Sequence, residues 1–371
     1  MKISSICIIG GFKLVSANLG YEMAVGFSQA GVKSQLLIKD SHLDEWRRLH
    51  PGLDPFKNSF LRIVKDEGKN SILRTLMEAK IAHEFDLVFS LGLGGIWFLP
   101  FLGKPIVSYA TGADLTELAG GKGYSGIQVK LARRIFKKAK LVFHSIETGH
   151  TEMIKKLGIK NAIPWRQVID TNFWKEEIKE KGTGLNIFHP TSLIWIPKFE
   201  GQRLKSNDVV FKGFQKFLNE GGKGKLFFRN RGQNIKETNE LIKELQLEPF
   251  VEKLPDSPNR EEQKKIMKKM DIVVDQFGVG NFGLIALEAL AVGKPVIAYF
   301  PLKAAKQSYP EPEKIPPILN ALSPDEVAKH LFEMSNSKKL YEQSKLSQDW
   351  INECHAPKIL SKWYLEKMNS I

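Results

Sequence analysis

The segment Asp271–Ala298, DIVVDQFGVGNFGLIALEALAVGKPVIA, limits the choice of fold more than any other stretch of the chain. DIVVD is apolar and β-branched and reads as a buried strand. Phe277–Asn281 follows as a loop in which Gly278 and Gly280 let a ligand approach the backbone closely. Phe282-Gly283 opens a helix, with Leu284, Leu287 and Leu290 facing a sheet and Glu288 in the second turn. Gly293-Lys294-Pro295 stops that helix, and a short β-branched strand comes next. Strand, glycine loop, helix and strand make the repeating unit of a parallel sheet. The loop then sits at a helix N-terminus, where free N–H groups and the helix dipole favour a phosphate. A carboxylate at Glu288 is placed to accept hydrogen bonds from ribose hydroxyls.

The same alternation runs through the chain. Ile3–Ile9, Gln35–Lys39, Leu61–Val64, Leu87–Ser90, Ile106–Ala110 and Leu141–Ser145 read as strands, with helical patterns between most of them. Leu19, Met23 and Phe27 share one face of the first helix, and Gly31 is its C-terminal stop. At Asp170–Gly184 the pattern breaks in a polar run, DTNFWKEEIKEKGTG, which reads as an interdomain linker. A second series has strands at Asn186–Phe188, Lys225–Phe228, Phe250–Lys253, Asp271–Val274 and Pro295–Tyr299. Its helices fall at Val209–Asn219, Asn234–Leu245, Glu261–Met270, Gly283–Val292 and Pro324–Ser335. Lys338–Met368 reads as helices interrupted near His355-Ala356-Pro357. No repeat of solenoid period is present. A chain of 371 residues exceeds what one hydrophobic core usually serves. The expectation is an α/β protein with two Rossmann-like domains facing a cleft. Residues 1–175 form the first domain, 176–345 the second, and 346–371 a C-terminal helix that crosses back to the first. Ligands of open α/β sheets bind at the C-terminal edges of the strands.

Composition removes several other classes. The 42% hydrophobic and 26% charged shares are those of an ordinary globular protein. Cys7 and Cys354 stand at opposite ends and make neither a disulfide framework nor a zinc site, which fits a reducing, cytoplasmic setting. The opening MKISSICIIGG is too short an apolar run for a signal peptide and reads as a first strand. The apolar region Leu87–Ala110 is broken by Gly92, Gly94, Gly95, Pro100, Gly103, Lys104 and Pro105, which argues against a membrane span. The formal charge of +14 favours anionic partners without choosing among nucleotide, lipid and nucleic acid. No helix-turn-helix, zinc finger or aromatic strand motif supports a nucleic-acid partner. The histidines His83, His144, His150, His189 and His355 lack metal-ligand spacing.

The Asp271–Ala298 segment resembles the donor-binding signature of glycosyltransferase family 4, the glycosyl transferases group 1, which has the GT-B fold. There a strand is followed by Glu-Gly-Phe-Gly, an apolar helix with a second Glu, and Ala-x-Gly-x-Pro-Val-Ile. Here Asn281-Phe282-Gly283 stands for Gly-Phe-Gly, Glu288 is the second Glu, and Ala291–Ile297 completes the match. Leu226–Gly232, with Arg229 and Arg231, resembles the family's strand and glycine turn. Val251–Pro255 resembles the strand whose following loop meets the nucleobase, and Lys205–Asp208 the turn before the first donor-domain helix. The resemblance implies a hexosyltransferase-type enzyme acting with retention on a nucleotide-diphosphate sugar. It implies a glycan, lipid-linked or other cell-envelope acceptor, as in polysaccharide biosynthesis, and no required cofactor. It places Gly10, Gly11, Arg231, Pro255, Gly280, Asn281, Phe282, Gly283 and Glu288 in the donor site.

Lys205, Arg229 and Arg231 are candidate cations for the leaving diphosphate, in which case no metal is required, or else solvated surface charges of the kind this basic chain has in number. The first Glu of the signature falls on Gly280, which leaves a second reading open: a GT-B-like binding or scaffold subunit with weakened transfer. Asp275 or Gln276 is the candidate replacement for that missing polar group. Asp114, at the end of the loop Tyr109-Ala110-Thr111-Gly112-Ala113-Asp114 that follows a strand, binds an acceptor hydroxyl, acts as its base, or caps the segment beginning at Leu115. Gly120–Gly126 reads as a mobile loop. Gln128–Lys140 is a basic amphipathic helix carrying Lys130, Arg133, Arg134, Lys137, Lys138 and Lys140. It suits peripheral docking on an anionic inner membrane face.

Overall fold

The computed structural model describes residues 3–10, 14–66, 71–92, 103–111, 114–121, 126–146, 148–178, 184–200, 202–255, 259–309 and 311–370. Two compact units result: residues 1–170 together with 355–371, and residues 171–354.

In the first unit seven parallel strands lie in the order β3-β2-β1-β4-β5-β6-β7. They are β1 (Ser5–Gly10), β2 (Lys33–Lys39), β3 (Leu61–Val64), β4 (Leu87–Leu91), β5 (Ile106–Tyr109), β6 (Leu141–His144) and β7 (Ala162–Pro164). The order reverses between β1 and β4, whose register pairs Ile6 with Leu87 and Ile9 with Ser90. Alternate side chains of β1 serve opposite faces. Ile6 and Ile8 join Leu36, Phe89 and Phe143 on one face, and Cys7 and Ile9 join Val88, Ala79 and Ala82 on the other. Leu19, Met23 and Phe27 do line one buried face of helix Leu14–Gln29, and Gly31 follows at φ 89°.

The last helix, Pro357–Asn369, packs against helix Leu14–Gln29 in this same unit. Tyr364 is fully buried among Phe27, Phe89 and Phe143, its ring 4.6 Å from that of Phe143. A β-carbon at Gly26 would lie 2.3 Å from Ser361 Oγ and 2.8 Å from Pro357 O, so only glycine lets these helices approach so closely. His355 is buried and Nδ1 lies 2.6 Å from Gln167 O. Burial pushes its pKa down to about 3, so the ring is neutral and Nδ1 donates.

The second unit holds six parallel strands in the order β10-β9-β8-β11-β12-β13. These are β8 (Leu185–His189), β9 (Gly224–Arg229), β10 (Val251–Leu254), β11 (Ile272–Val274), β12 (Val296–Ala298) and β13 (Leu319–Asn320). Its core joins Ile187, Leu226, Phe228, Ile272 and Val274 to Phe211, Phe214 and Phe217 of helix Asp208–Asn219 and to Val327 and Leu331 of helix Pro324–Ser335. Capping boxes start two of its helices, Asn259 with Glu262 and Ser323 with Glu326, each satisfying N–H groups that the first turn leaves open. The expected interruption of the C-terminal helices falls between Cys354 and Pro357. Strands β7 and β13, of three and two residues, and helix Leu302–Ser308, of seven, were not legible as elements: each is too short to show a period. Among the described residues no helix is long and apolar enough to cross a membrane.

Candidate functional site

In the second unit the strand order reverses between β8 and β11, the place where open α/β sheets bind ligands. The loops leaving these strands lie backbone against backbone. Phe277 N–H donates to Lys205 O at 3.1 Å, and Lys205 N–H donates to Ile194 O at 2.6 Å. A β-carbon at Gly278 would meet Leu204 O at 2.4 Å, so this loop glycine serves close contact within the protein. Ser206 adopts φ 51° to turn the chain beside it. Gly232, at φ 128°, admits the facing strand-like contact with Leu193, whose oxygen a β-carbon would approach to 2.4 Å.

His189 ends β8 and is completely buried. Nδ1 is 2.7 Å from Val274 O and Nε2 is 2.8 Å from Asn207 Nδ2, so Nδ1 carries the proton and Nε2 accepts. Burial lowers its pKa, and the ring ties β8, β11 and the 205–207 turn together. It holds the site in shape from behind.

Asp275, 2% exposed, accepts from Thr191 Oγ1 at 2.6 Å and from Gly283 N–H at 2.7 Å. Gly283 is the N-cap of helix Leu284–Val292, so the protein itself supplies an anion at that N-terminus. The sequence reading left these N–H groups to a phosphate; the Gly283 donor is already taken. Gln276 is 4% exposed, accepts from Lys205 Nζ and donates through Nε2 to Asn281 O at 2.5 Å. Both candidates for the polar group missing at Gly280 are therefore engaged in holding the loop. Burial lowers the Lys205 pKa, with Arg203 adding to the fall and Asp275 opposing it.

A second cluster lies around Glu288. Burial raises this carboxyl to about 7, against the pull of Arg260 and Arg229. Arg229 ends β9, is 4% exposed, donates to Gln263 Oε1 and lies 5.8 Å over the Phe188 ring. Arg260 and Gln263 stand one turn apart on helix Arg260–Lys268, and the Arg260 guanidinium stacks 4.1 Å from the Phe173 ring centre. Sequence reasoning missed both. The spacing of three residues after the Asn259 cap was a signal that they share a face.

The fold thus brings Lys205, Asn281 and Gln276 together, and Arg229 with Glu288. Phe282 is buried 4.8 Å from the Phe300 ring, and Gly283 caps the helix. Gly280 sits at φ 70°, and a notional β-carbon would make ordinary contact with Pro301 and Tyr299 at 3.7 Å. Arg231 is half-buried and accepts from Leu193 N–H through its own carbonyl. Pro255 is exposed just past β10. In the first unit Gly10 ends β1, while Gly11, Gly112, Ala113 and residues 122–125 lie outside the described residues. Asp114, 4% exposed, accepts from Thr111 N–H at 3.0 Å and Leu115 N–H at 2.9 Å. Two cavities of about 410 Å³ each, both lined by Val292 and Lys294, lie at the other edge of the second sheet and include none of these residues. Among the described residues no group of three or more His, Cys, Asp or Glu is placed to hold a metal.

Two doubly wound parallel units, the second with a glycine loop, the half-buried Glu288 and the buried Arg229 near its switch point, have the fold of the GT-B glycosyltransferases. Residues 202–306 match the family model described as glycosyl transferases group 1. No curated protein matches the chain by sequence. Among solved structures, Anabaena HepE, determined in complex with UDP and glucose, is similar at TM-score 0.66 and 14% identity over 100% of both chains. A glycosyltransferase from Rickettsia africae is similar at TM-score 0.63 and 12% identity, over 100% of this chain and 98% of that one. Sucrose-phosphate synthase from Thermosynechococcus elongatus is similar at TM-score 0.60 and 12% identity, over 99% and 98% of the two chains.

Proposed function

We propose that this protein transfers a hexose from a nucleoside-diphosphate sugar, bound at the C-terminal edge of the second sheet, to a hydroxyl of a glycan, lipid-linked or other cell-envelope acceptor. The observation that carries the reading is the convergence on one switch point of Glu288 with Arg229 and of Lys205 with Gln276 and Asn281. Glu288 accepts from the ribose hydroxyls, and Lys205, Arg229 and Arg231 meet the diphosphate. In the reaction the bond from the sugar's anomeric carbon to the phosphate oxygen breaks and its electrons leave on the diphosphate. The acceptor oxygen forms the new bond and loses its proton. Fixed cations beside the leaving group stabilise the growing charge. Asp114, with both oxygens on backbone N–H groups, shapes its loop in the first unit. Retention rests on the family resemblance and is read from the anomeric configuration of the product.

The test of this site is Glu288→Ala. It should weaken nucleoside-diphosphate binding about tenfold or more, the order expected for losing hydrogen bonds to a charged group, with the fold intact by circular dichroism. An unchanged dissociation constant would remove Glu288 from the site. Gly280 favours one second reading, a binding subunit with weak transfer, because the position of the family's first Glu carries no side chain.

The acceptor class is argued from the first unit. Helix Gly126–Lys138 exposes Lys130, Arg134, Lys137 and Lys138 with Ile127, which is 73% exposed, while Val129, Ala132, Ile135 and Phe136 are buried. Basic residues at an anionic bilayer contribute about 1 kcal/mol each. Flotation with phosphatidylglycerol vesicles should recover the protein at low salt, and changing Lys130, Arg134, Lys137 and Lys138 to Gln should abolish recovery. Equal recovery of both would end the membrane assignment.

A further inference from the structure

The first turn of helix Leu284–Val292 already meets an anion of the protein's own. We infer that Asp275 is a specificity-determining residue: its fixed carboxylate, beside the diphosphate, opposes the nucleoside-diphosphate product more than the sugar-bearing donor. The inference rests on the nucleotide-sugar reading proposed above, with the diphosphate at this helix N-terminus.

Asp275 lies just past β11 and is held on every side. Its backbone N–H donates to Ile297 O of β12 at 2.9 Å. One carboxylate oxygen accepts from Thr191 Oγ1 at 2.6 Å, and the other from Gly283 N–H at 2.7 Å. Both oxygens accept hydrogen bonds, as an ionised carboxylate does. Thr191 is itself buried, two residues past β8, so both strands of the switch point hold the carboxylate in place. On either side of Asp275 the chain is tied as well. Val274 O lies 2.7 Å from His189 Nδ1, and Gln276 accepts from Lys205 Nζ. The charge is therefore a fixed feature of the site. At 2% exposure it is weakly screened by water, so it acts strongly on an anion at the same N-terminus.

The same turn has N–H groups left for a ligand. Gly283 is the N-cap, and the N–H groups of the half-buried Leu284 and Ile285 follow it with no intrahelical acceptor. A phosphate that meets them shares the N-terminus with Asp275, and the two negative charges repel. The penalty grows with the charge of the ligand. In the donor each phosphate carries one ionised oxygen. Loss of the sugar leaves a terminal phosphate whose second ionisation lies at about pH 6, so at pH 7.5 the product carries about one negative charge more. Lys205 and Arg229 alone would favour that more highly charged product. Asp275 offsets their preference and so promotes release after transfer.

The test uses Asp275→Asn, which removes the charge and keeps the shape. The amide oxygen accepts from Gly283 N–H and the amide NH2 donates to the Thr191 hydroxyl, so the loop keeps both bonds. Calorimetry at pH 7.5 compares UDP with UDP-glucose, ADP with ADP-glucose and GDP with GDP-mannose on both proteins, with circular dichroism to confirm the fold. In the pair that binds, Asp275→Asn should tighten the diphosphate about tenfold and the sugar diphosphate about threefold. A second neutral variant, Asp275→Ser, should shift the ratio of the two constants in the same direction. An unchanged ratio overturns the inference and leaves the nucleotide site standing. Equal weakening of both ligands overturns it too, since Asp275 then serves only the shape of the loop. No binding by any pair to either protein overturns the inference together with the proposed function.

Discussion

Gly280 is the residue on which the account turns. The family resemblance puts a Glu there, and the chain has a glycine at φ 70° where a β-carbon would meet Pro301 and Tyr299 without a clash. A side chain would fit, but a non-glycine residue in this left-handed region costs about 1 kcal/mol. If Gly280 limits transfer, Gly280→Glu should raise turnover of a nucleotide sugar at least tenfold while lowering stability by about that 1 kcal/mol. Unchanged turnover would mean that this chain does its chemistry without a group at that position. Glu288, Arg229 and Lys205 were legible as candidates because the segments that carry them resemble the family's donor-binding segments. Arg260 and Gln263 were not, since their importance comes from burial and from the partners Phe173 and Arg229, which lie far away in sequence.

At the scale of elements, the helix Leu284–Val292 shows what pattern alone can and cannot give. Its Leu and Ala residues favour helix, Gly293 stops it at φ 82°, and burial on most sides matches an apolar run broken only by Glu288. All of that could be read from the sequence. The occupant of its N-terminus could not. Asp275 reads as the end of a strand, and only the folded loop carries Gly283 N–H to its oxygen at 2.7 Å. Asp275→Ala should therefore destabilise the second unit by roughly 2 kcal/mol, leaving Thr191 and the Gly283 N–H without their buried acceptor. Denaturant unfolding reads this; a change within experimental error would show that water replaces the carboxylate at no cost.

At the scale of the whole chain, the two sheets were legible except for β7 and β13, because most of the parallel strands are short apolar runs set off by helical patterns. The chain enters the second unit at Thr171 and leaves it after Cys354, and the last helix docks on the first unit through Tyr364. Those limits depend on packing: Phe173 and Trp174 read as linker, yet their rings stack with Arg260 of the second unit. The central claim is that the second unit binds a nucleoside diphosphate at its switch point. The most direct measurement is calorimetric titration, with thermal unfolding alongside, using UDP, GDP, ADP and CMP. At about 100 times its dissociation constant one diphosphate should add roughly 2.7 kcal/mol to stability and lose that effect in Glu288→Ala. No binding by any of the four would contradict the account.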